Sequence, residues 1–207
     1  MRFPRLLSPF CPSSAQSLFS SQKAVAREIL ALHDFSDASQ LIDVGGSNGT
    51  FIASAATRYP HLHFTLFDLP AVTEIAQESF EKQGISGRTQ IAPGSFLKDP
   101  LPQGADIATL IRVLHDHDDD SALVILTGIR KALPPKGRLV LAEPLSGAPD
   151  TAPIADAYFG LYFAAMGQGK TRNAEEIAQL GRKAGFSRIS SPISRMPLIT
   201  SVMVLEH

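Results

Sequence analysis

Alternation constrains this chain more than any other feature. Short, almost wholly apolar runs, Leu41–Val44, Leu62–Phe67, Thr89–Ala92, Ile107–Leu114 and Arg138–Ala142, are separated by stretches of helical length. Strands that are apolar on both faces belong to a parallel sheet covered by helices on either side. The intervening patterns predict helices over Lys23–His33, Thr50–Arg58, Pro70 to about Gln83, from the Asp118–Asp120 cap through Ile129 to an end marked by Pro134-Pro135-Lys136-Gly137, and Ala174–Ala184. Pro70 suits a first helical turn, where its missing N–H costs nothing. An aromatic-rich stretch, Ile154–Met166, reads as one more helix. The last two strands flank the connector Pro192–Pro197, which is too short for a crossover helix, so they should pair antiparallel.

The expected fold is therefore α/β, with the class I methyltransferase architecture: a Rossmann-like seven-stranded sheet, mostly parallel with one antiparallel strand, and helices on both faces. A plain dinucleotide-binding fold lacks the closing hairpin. At 207 residues the chain is one domain with at most a short appendage. Residues 23–204 are expected to form that domain. Residues 1–22 are an atypical N-terminal remnant or extension, basic and Ser-rich with no acidic residue before Glu28, in the manner of a transit peptide or the remnant of an upstream segment. Leu205–His207 reads as the start of a vector-encoded polyhistidine tag and is set aside from the fold.

Composition narrows the function. A chain that is 44% apolar and 19% charged is neither disordered nor a coiled coil. The single Cys11 excludes a disulfide scaffold and a multi-cysteine zinc site, and fits a reducing compartment such as the cytoplasm. Nineteen basic against twenty acidic residues leave a net charge of −1, which argues against a nucleic-acid partner. No apolar run approaches the ~18 residues of a transmembrane segment, which leaves only peripheral membrane contact open. The expected partner is a small molecule.

The first strand ends in Asp43-Val44-Gly45-Gly46-Ser47-Asn48-Gly49. Glycines let such a turn take positive φ and let a ligand approach the backbone. A carboxylate at Asp43 would repel a pyrophosphate but suits a ligand with cationic groups. This favours S-adenosylmethionine, with its ammonium and sulfonium, over NAD. Asp68 ends the second strand 19 residues after Gly49, where a carboxylate can accept from both ribose hydroxyls or cap the helix that follows.

The run His115 to Asp120 holds two histidines and four aspartates. Its position at a strand-to-helix junction makes Asp118, Asp119 and Asp120 helix-capping residues rather than metal ligands. No metal is expected. His115, at the carboxyl end of a central strand, suits a proton acceptor. Glu143 ends the neighbouring strand and could hold the other ring nitrogen. His117, His61 and His63 read as loop or strand-edge residues.

Four ordered segments then resemble a known family. Leu41–Gly49, Phe67–Pro70, Arg112–Asp116 and Leu133–Glu143 are similar in order and spacing to the S-adenosylmethionine-dependent O-methyltransferases of the plant phenolic, acetylserotonin and bacterial type. The resemblance runs from about Ser20 to Val204. Within the family, Arg112–Asp119, Ala165–Arg172 and Pro197–Ser201 look most like the bacterial hydroxycarotenoid O-methyltransferases, of hydroxyneurosporene or demethylspheroidene type.

The resemblance implies His115 as general base and Glu143 as its orienting partner. It implies cofactor contacts at Asp43, Gly45, Gly46, Gly49, Asp68, Leu69, Ser95, Phe96 and Arg112. The family's Gly-Asp-Met/Phe-Phe segment reads Gly94-Ser95-Phe96-Leu97 here, so a serine or backbone groups would have to hold the adenine amine. An acidic residue that often flanks the base falls on Thr171. Family members are usually homodimers through a helical N-terminal domain, of which almost nothing is expected in this chain. The aromatic cluster Tyr158, Phe159, Tyr162, Phe163 and Met166 would wall a hydrophobic acceptor or serve as helix core. Two alternatives stay open: a different acceptor (phenol, polyketide or bacteriochlorophyll precursor), or a cofactor-binding domain without activity.

Overall fold

Pro12 opens the first helix, α1 (Pro12–Leu32), well before the predicted start at Lys23. A proline in a first helical turn lacks only an N–H that the helix leaves unused, so it begins this helix instead of excluding it. The computed structural model describes residues 12–147, 169–197 and 199–207, with side chains from Gln22 onward. The predicted aromatic helix Ile154–Met166 lies outside the described residues.

The chain then runs through β1 (Gln40–Val44), α2 (Thr50–Arg58), β2 (His63–Asp68), α3 (Pro70–Lys82), β3 (Thr89–Pro93), β4 (Ile107–Ile111), α4 (Asp119–Ala132) and β5 (Arg138–Glu143). After residue 168 come α5 (Ala174–Lys183), β6 (Arg188–Ile189), β7 (Ile193–Met196) and β8 (Thr200–Glu206). The sheet order is β3-β2-β1-β4-β5-β8-β6, with β7 also paired to β8. The pairs from β3 to β5 are parallel, whereas β8 runs antiparallel to β5.

Among the described residues the sheet has eight strands where seven were expected, because the penultimate strand is broken in two. Both halves pair with β8. At the break, the Ser190 N–H donates to the Val204 carbonyl and the Val204 N–H donates to Ser190 Oγ. Pro192, which has no N–H to give, follows two residues later. Leu205 and Glu206, set aside above as a tag, belong to the fold. Leu205 is fully buried against α5 and pairs with Leu139 and Ile189.

Side-chain alternation divides the core between the two faces of the sheet. On one face, Ile42, Leu110, Leu141 and Met203 meet α4 and α5 through Ile125, Ile129, Ile177 and Leu180. On the other, Leu41, Leu66, Val140 and Val202 meet the first three helices through Ile29, Ile52, Phe51 and Phe80. Strand order reverses at β1, which has β2 on one side and β4 on the other. In an open α/β sheet that reversal opens a crevice beyond the strand ends.

Candidate active site

The crevice is a cleft of about 270 Å³ whose floor is the turn after β1. Asp43, Gly45, Gly46, Ser47 and Asn48 line it, with Ile111, Arg112, His115 and Asp116 after β4. Its third wall is α1, through Gln22, Val25 and Ala26. Sequence reasoning missed that wall. An amphipathic pattern tells that a helix has a buried face, not what it covers.

Two glycines of the turn are required by geometry that is visible without any ligand. Gly45 has φ +72°, and a β-carbon there would come within 2.7 Å of Val113. Gly49 has φ +76°, and a β-carbon would strike the Phe80 ring. Gly49 thus serves the packing of α2 on α3 and is outside the cleft wall, while Gly45 and Gly46 are in it. Among the described residues, the non-glycine residues with positive φ are Ser47 (53°) and Arg112 (56°), and both line the cleft. Such backbone persists only where the surroundings enforce it, and it clusters at functional sites.

Asp43 is buried beneath the turn. Its Oδ1 accepts from Thr109 Oγ1 at 2.7 Å, while Oδ2, under Gly46, has no hydrogen-bond partner. Burial pushes its carboxyl up to about 7, against the Thr109 hydrogen bond and with help from the nearby Asp68 charge. A carboxyl whose folded value is raised favours folding fully below its unfolded value of ~3.9 and loses that contribution as pH climbs through 7. Asp43→Asn carries no such loss. Its Tm advantage over the wild type should therefore open between pH 4 and pH 8, read by thermal melts, and a pH-independent difference would contradict the burial penalty.

Asp68 pins the turn instead of capping α3. Its Oδ2 accepts from the Ser47 N–H at 2.9 Å and its Oδ1 from the Leu69 N–H at 2.7 Å. The N-cap of α3 is Leu69, which makes no side-chain cap. Leu69 is half exposed, and the Ser95 N–H donates to Asp99 Oδ2 at 2.8 Å. Phe96 lies beside Gly45 and edge-on to His117. Asp68, Leu69, Ser95 and Phe96 all sit on the β2–β3 side of the turn, outside the walls of the cleft.

The fourth strand ends at Ile111 rather than Leu114, because Arg112, whose N–H still donates to the Ala142 carbonyl of β5, turns left-handed and directs the chain out of the sheet. His115 therefore stands on a short 3₁₀ turn, Leu114–Asp116, beyond the strand. Glu143 organises that turn. Its Oε1 accepts the N–H groups of Val113 and Leu114 at 2.8 and 2.7 Å, and its Oε2 lies 2.8 Å from His115 Nδ1. Both side chains are buried. Burial alone would lower the His115 value; the hydrogen bond to Glu143, its charge and that of Asp116 outweigh it and raise His115 above the usual 6.5.

The remaining aspartates divide their tasks. Asp118 caps α4, accepting from the Ser121 N–H at 2.8 Å. Asp119 does more than stabilise the helix end: it pairs with Lys170 at 2.8 Å and Arg172 at 2.9 Å. Among the described residues no group of three or more His, Cys, Asp or Glu is placed to hold a metal ion. His61 and His63 are exposed, away from the cleft.

Residues 10–187 match the family model described as an O-methyltransferase domain. The chain is 44% identical over 193 residues to demethylspheroidene O-methyltransferase of Rhodobacter capsulatus, covering 93% of this chain and 48% of that protein. It is 41% identical over 183 residues to the protein of the same name from Cereibacter sphaeroides, covering 88% and 48%. The chain thus spans about half the length of these curated relatives. Among solved structures it superposes on human N-acetylserotonin methyltransferase in complex with SAM, with a TM-score of 0.81 and 26% identity, covering 92% of this chain and 54% of that one.

Proposed function

The chain belongs to the O-methyltransferase domain family, and from that premise we propose that it moves a methyl group from S-adenosylmethionine to a hydroxyl of a hydrophobic small molecule, a hydroxycarotenoid, with His115 as general base. The observation that carries this reading is the His115–Glu143 pair, whose histidine lines the same cleft as the glycine turn.

The residues present fit the cofactor. Asp43 holds a buried carboxylate oxygen without a partner, the counterpart of a cationic ligand group. Gly45 and Gly46 would lie along the cofactor, and Arg112 would supply a cation for its carboxylate. S-adenosylmethionine, when bound, supplies a methyl group made electrophilic by its sulfonium. Asp68, Leu69, Ser95 and Phe96 would serve the nucleoside end, in an extension of the site past the turn.

The chain's own contribution is placement and proton removal. With Nδ1–H donated to Glu143, the neutral His115 ring keeps its lone pair on Nε2, and there it takes the proton that the acceptor hydroxyl loses. Glu143 then stabilises the imidazolium. An alcohol far less acidic than a phenol gains most from alignment, since effective molarities reach ~10⁵ M or more. Val25, Ala26, Phe51 and Ile111 offer the acceptor apolar surface. The hydroxycarotenoid is favoured by the two relatives named demethylspheroidene O-methyltransferase.

Label transfer from methyl-labelled S-adenosylmethionine into a panel of hydroxycarotenoids, phenols and chlorophyllides tests this. Label should enter a hydroxycarotenoid hydroxyl. Label in a phenol or chlorophyllide alone would replace the acceptor class. Calorimetric binding of NAD, with no response to S-adenosylmethionine or S-adenosylhomocysteine, would sink the whole reading.

A further inference from the structure

We propose that Arg172 is a positioning residue for His115, holding the carbonyls of the base-bearing turn as Glu143 holds its amides; the proposal rests on the reading of His115 as the base.

Arg172 is a fully charged group that is only 2% exposed, and its guanidinium is spent on the backbone around His115. Nη1 donates to the Leu114 carbonyl at 2.7 Å and Nη2 to the His117 carbonyl at 2.8 Å. Nε donates to Asp119 Oδ1 at 2.9 Å, which fixes the plane of the fork and balances its charge. Between those two carbonyls, the His115 carbonyl accepts the Lys170 N–H at 2.9 Å. The segment 170–172 thus holds the carbonyls of Leu114, His115 and His117, while Glu143 holds the amides of Val113 and Leu114.

The clamp is itself anchored. The Ser146 N–H donates to the Arg172 carbonyl at 3.0 Å, and Leu145 and Arg172 form a parallel bridge just past β5. Arg172 is therefore tied to the same strand that carries Glu143. The turn bearing His115 has one grip on its donors and another on its acceptors, and both lead back to the end of β5.

The guanidinium does this by shape. Its planar fork spans two carbonyls three residues apart, whereas a lysine ammonium is a compact point charge without that geometry. The charges of Glu143 and Asp116 raise His115 and that of Arg112 lowers it, while Arg172 grips the backbone carbonyls on either side of the histidine. Loss of Arg172 should thus act through the placement of the ring, and misplacement of order 1 Å costs about 10²-fold in rate.

The test uses Arg172→Ala and Arg172→Lys, with ring-¹⁵N histidine NMR and steady-state kinetics. In the wild type, the His115 Nδ1–H should be a downfield resonance with a titration midpoint above 6.5. Each variant should lose or broaden that resonance, shift the midpoint towards 6.5, and lower kcat by ~10–100-fold with the cofactor KM within about threefold. Millimolar methylguanidinium should return part of the kcat to Arg172→Ala and none to Arg172→Lys. A folded variant with wild-type His115 titration and wild-type kcat overturns the proposal, and Arg172→Lys serves if Arg172→Ala does not fold. The NMR titration needs neither acceptor nor turnover, so it judges the clamp even if His115→Ala shows that the base lies elsewhere.

Discussion

His115→Ala should lower kcat by about 10²–10⁴-fold, the usual worth of general-base help, and leave affinity for S-adenosylmethionine within a few-fold of the wild type. The ring lines the same cleft as the glycine turn, and Asp43, Gly45 and Gly46 remain in place without it. The pH dependence makes the prediction sharper. A base works only when neutral, and His115 is raised above 6.5 by Glu143 and Asp116 against the pull of burial. Wild-type kcat should therefore rise with pH through a midpoint above 6.5. The deficit of the alanine variant should be greatest at pH 8–9 and should narrow towards pH 5.5, where the wild-type ring is imidazolium. Radiolabel transfer across that range measures both. An alanine variant with undiminished kcat at pH 8 removes His115 from the role.

Glu143→Gln should be nearly as damaging for kcat, although the side chain keeps its size. The amide oxygen can still accept from the Val113 and Leu114 N–H groups, but an NH₂ then faces Nδ1 in place of a carboxylate oxygen. Nδ1 becomes the acceptor, the ring proton moves to Nε2, and the nitrogen that must take the proton already has one. A loss of ~10²–10⁴-fold in kcat is expected, as is usual where the partner of a catalytic histidine stops fixing its tautomer.

The stability of the same variant should depend on pH in a defined direction. His115 has a raised folded value, so its favourable contribution is fully present below the unfolded value of ~6.5 and fades as pH rises through the folded one. Glu143→Gln removes it. The gap in unfolding free energy to the wild type should be widest at pH 5–6, of the size of a lost charge-assisted hydrogen bond (about 1.5–3 kcal/mol), and should shrink by pH 9. A gap that widens with pH would contradict the ion-pair origin of the His115 shift.

Much of this molecule was legible before any coordinates. The β-strand cores, the helix over Thr50–Arg58 and the antiparallel final strand follow from apolar period, glycine and proline placement and connector length. The pairing of His115 with Glu143 was legible too, because the turn after β4 and the last residue of β5 lie at the same end of neighbouring parallel strands. Errors fell where local pattern and tertiary demand diverge. Ile107–Leu114 is apolar throughout, and nothing in its side chains reveals that Arg112 turns left-handed after Ile111. Leu205, dismissed for its resemblance to a tag, is core because β8 needs a residue opposite Leu139.

The sequence by itself determined the α/β class, the alternation of strands and helices along the chain, the glycine turn and the two residues proposed to handle the proton. These depend on apolar period, backbone preference and connector length, all of which are local. Only the tertiary structure decided what encloses and aligns them: α1 as the third wall of the cleft, Oδ2 of Asp43 left without a partner, and Arg172 reaching back across more than fifty positions to the carbonyls beside His115. The physical reason is that a buried carboxyl or guanidinium is defined by the partners that desolvation forces upon it, and those partners lie close in space without being close in the chain.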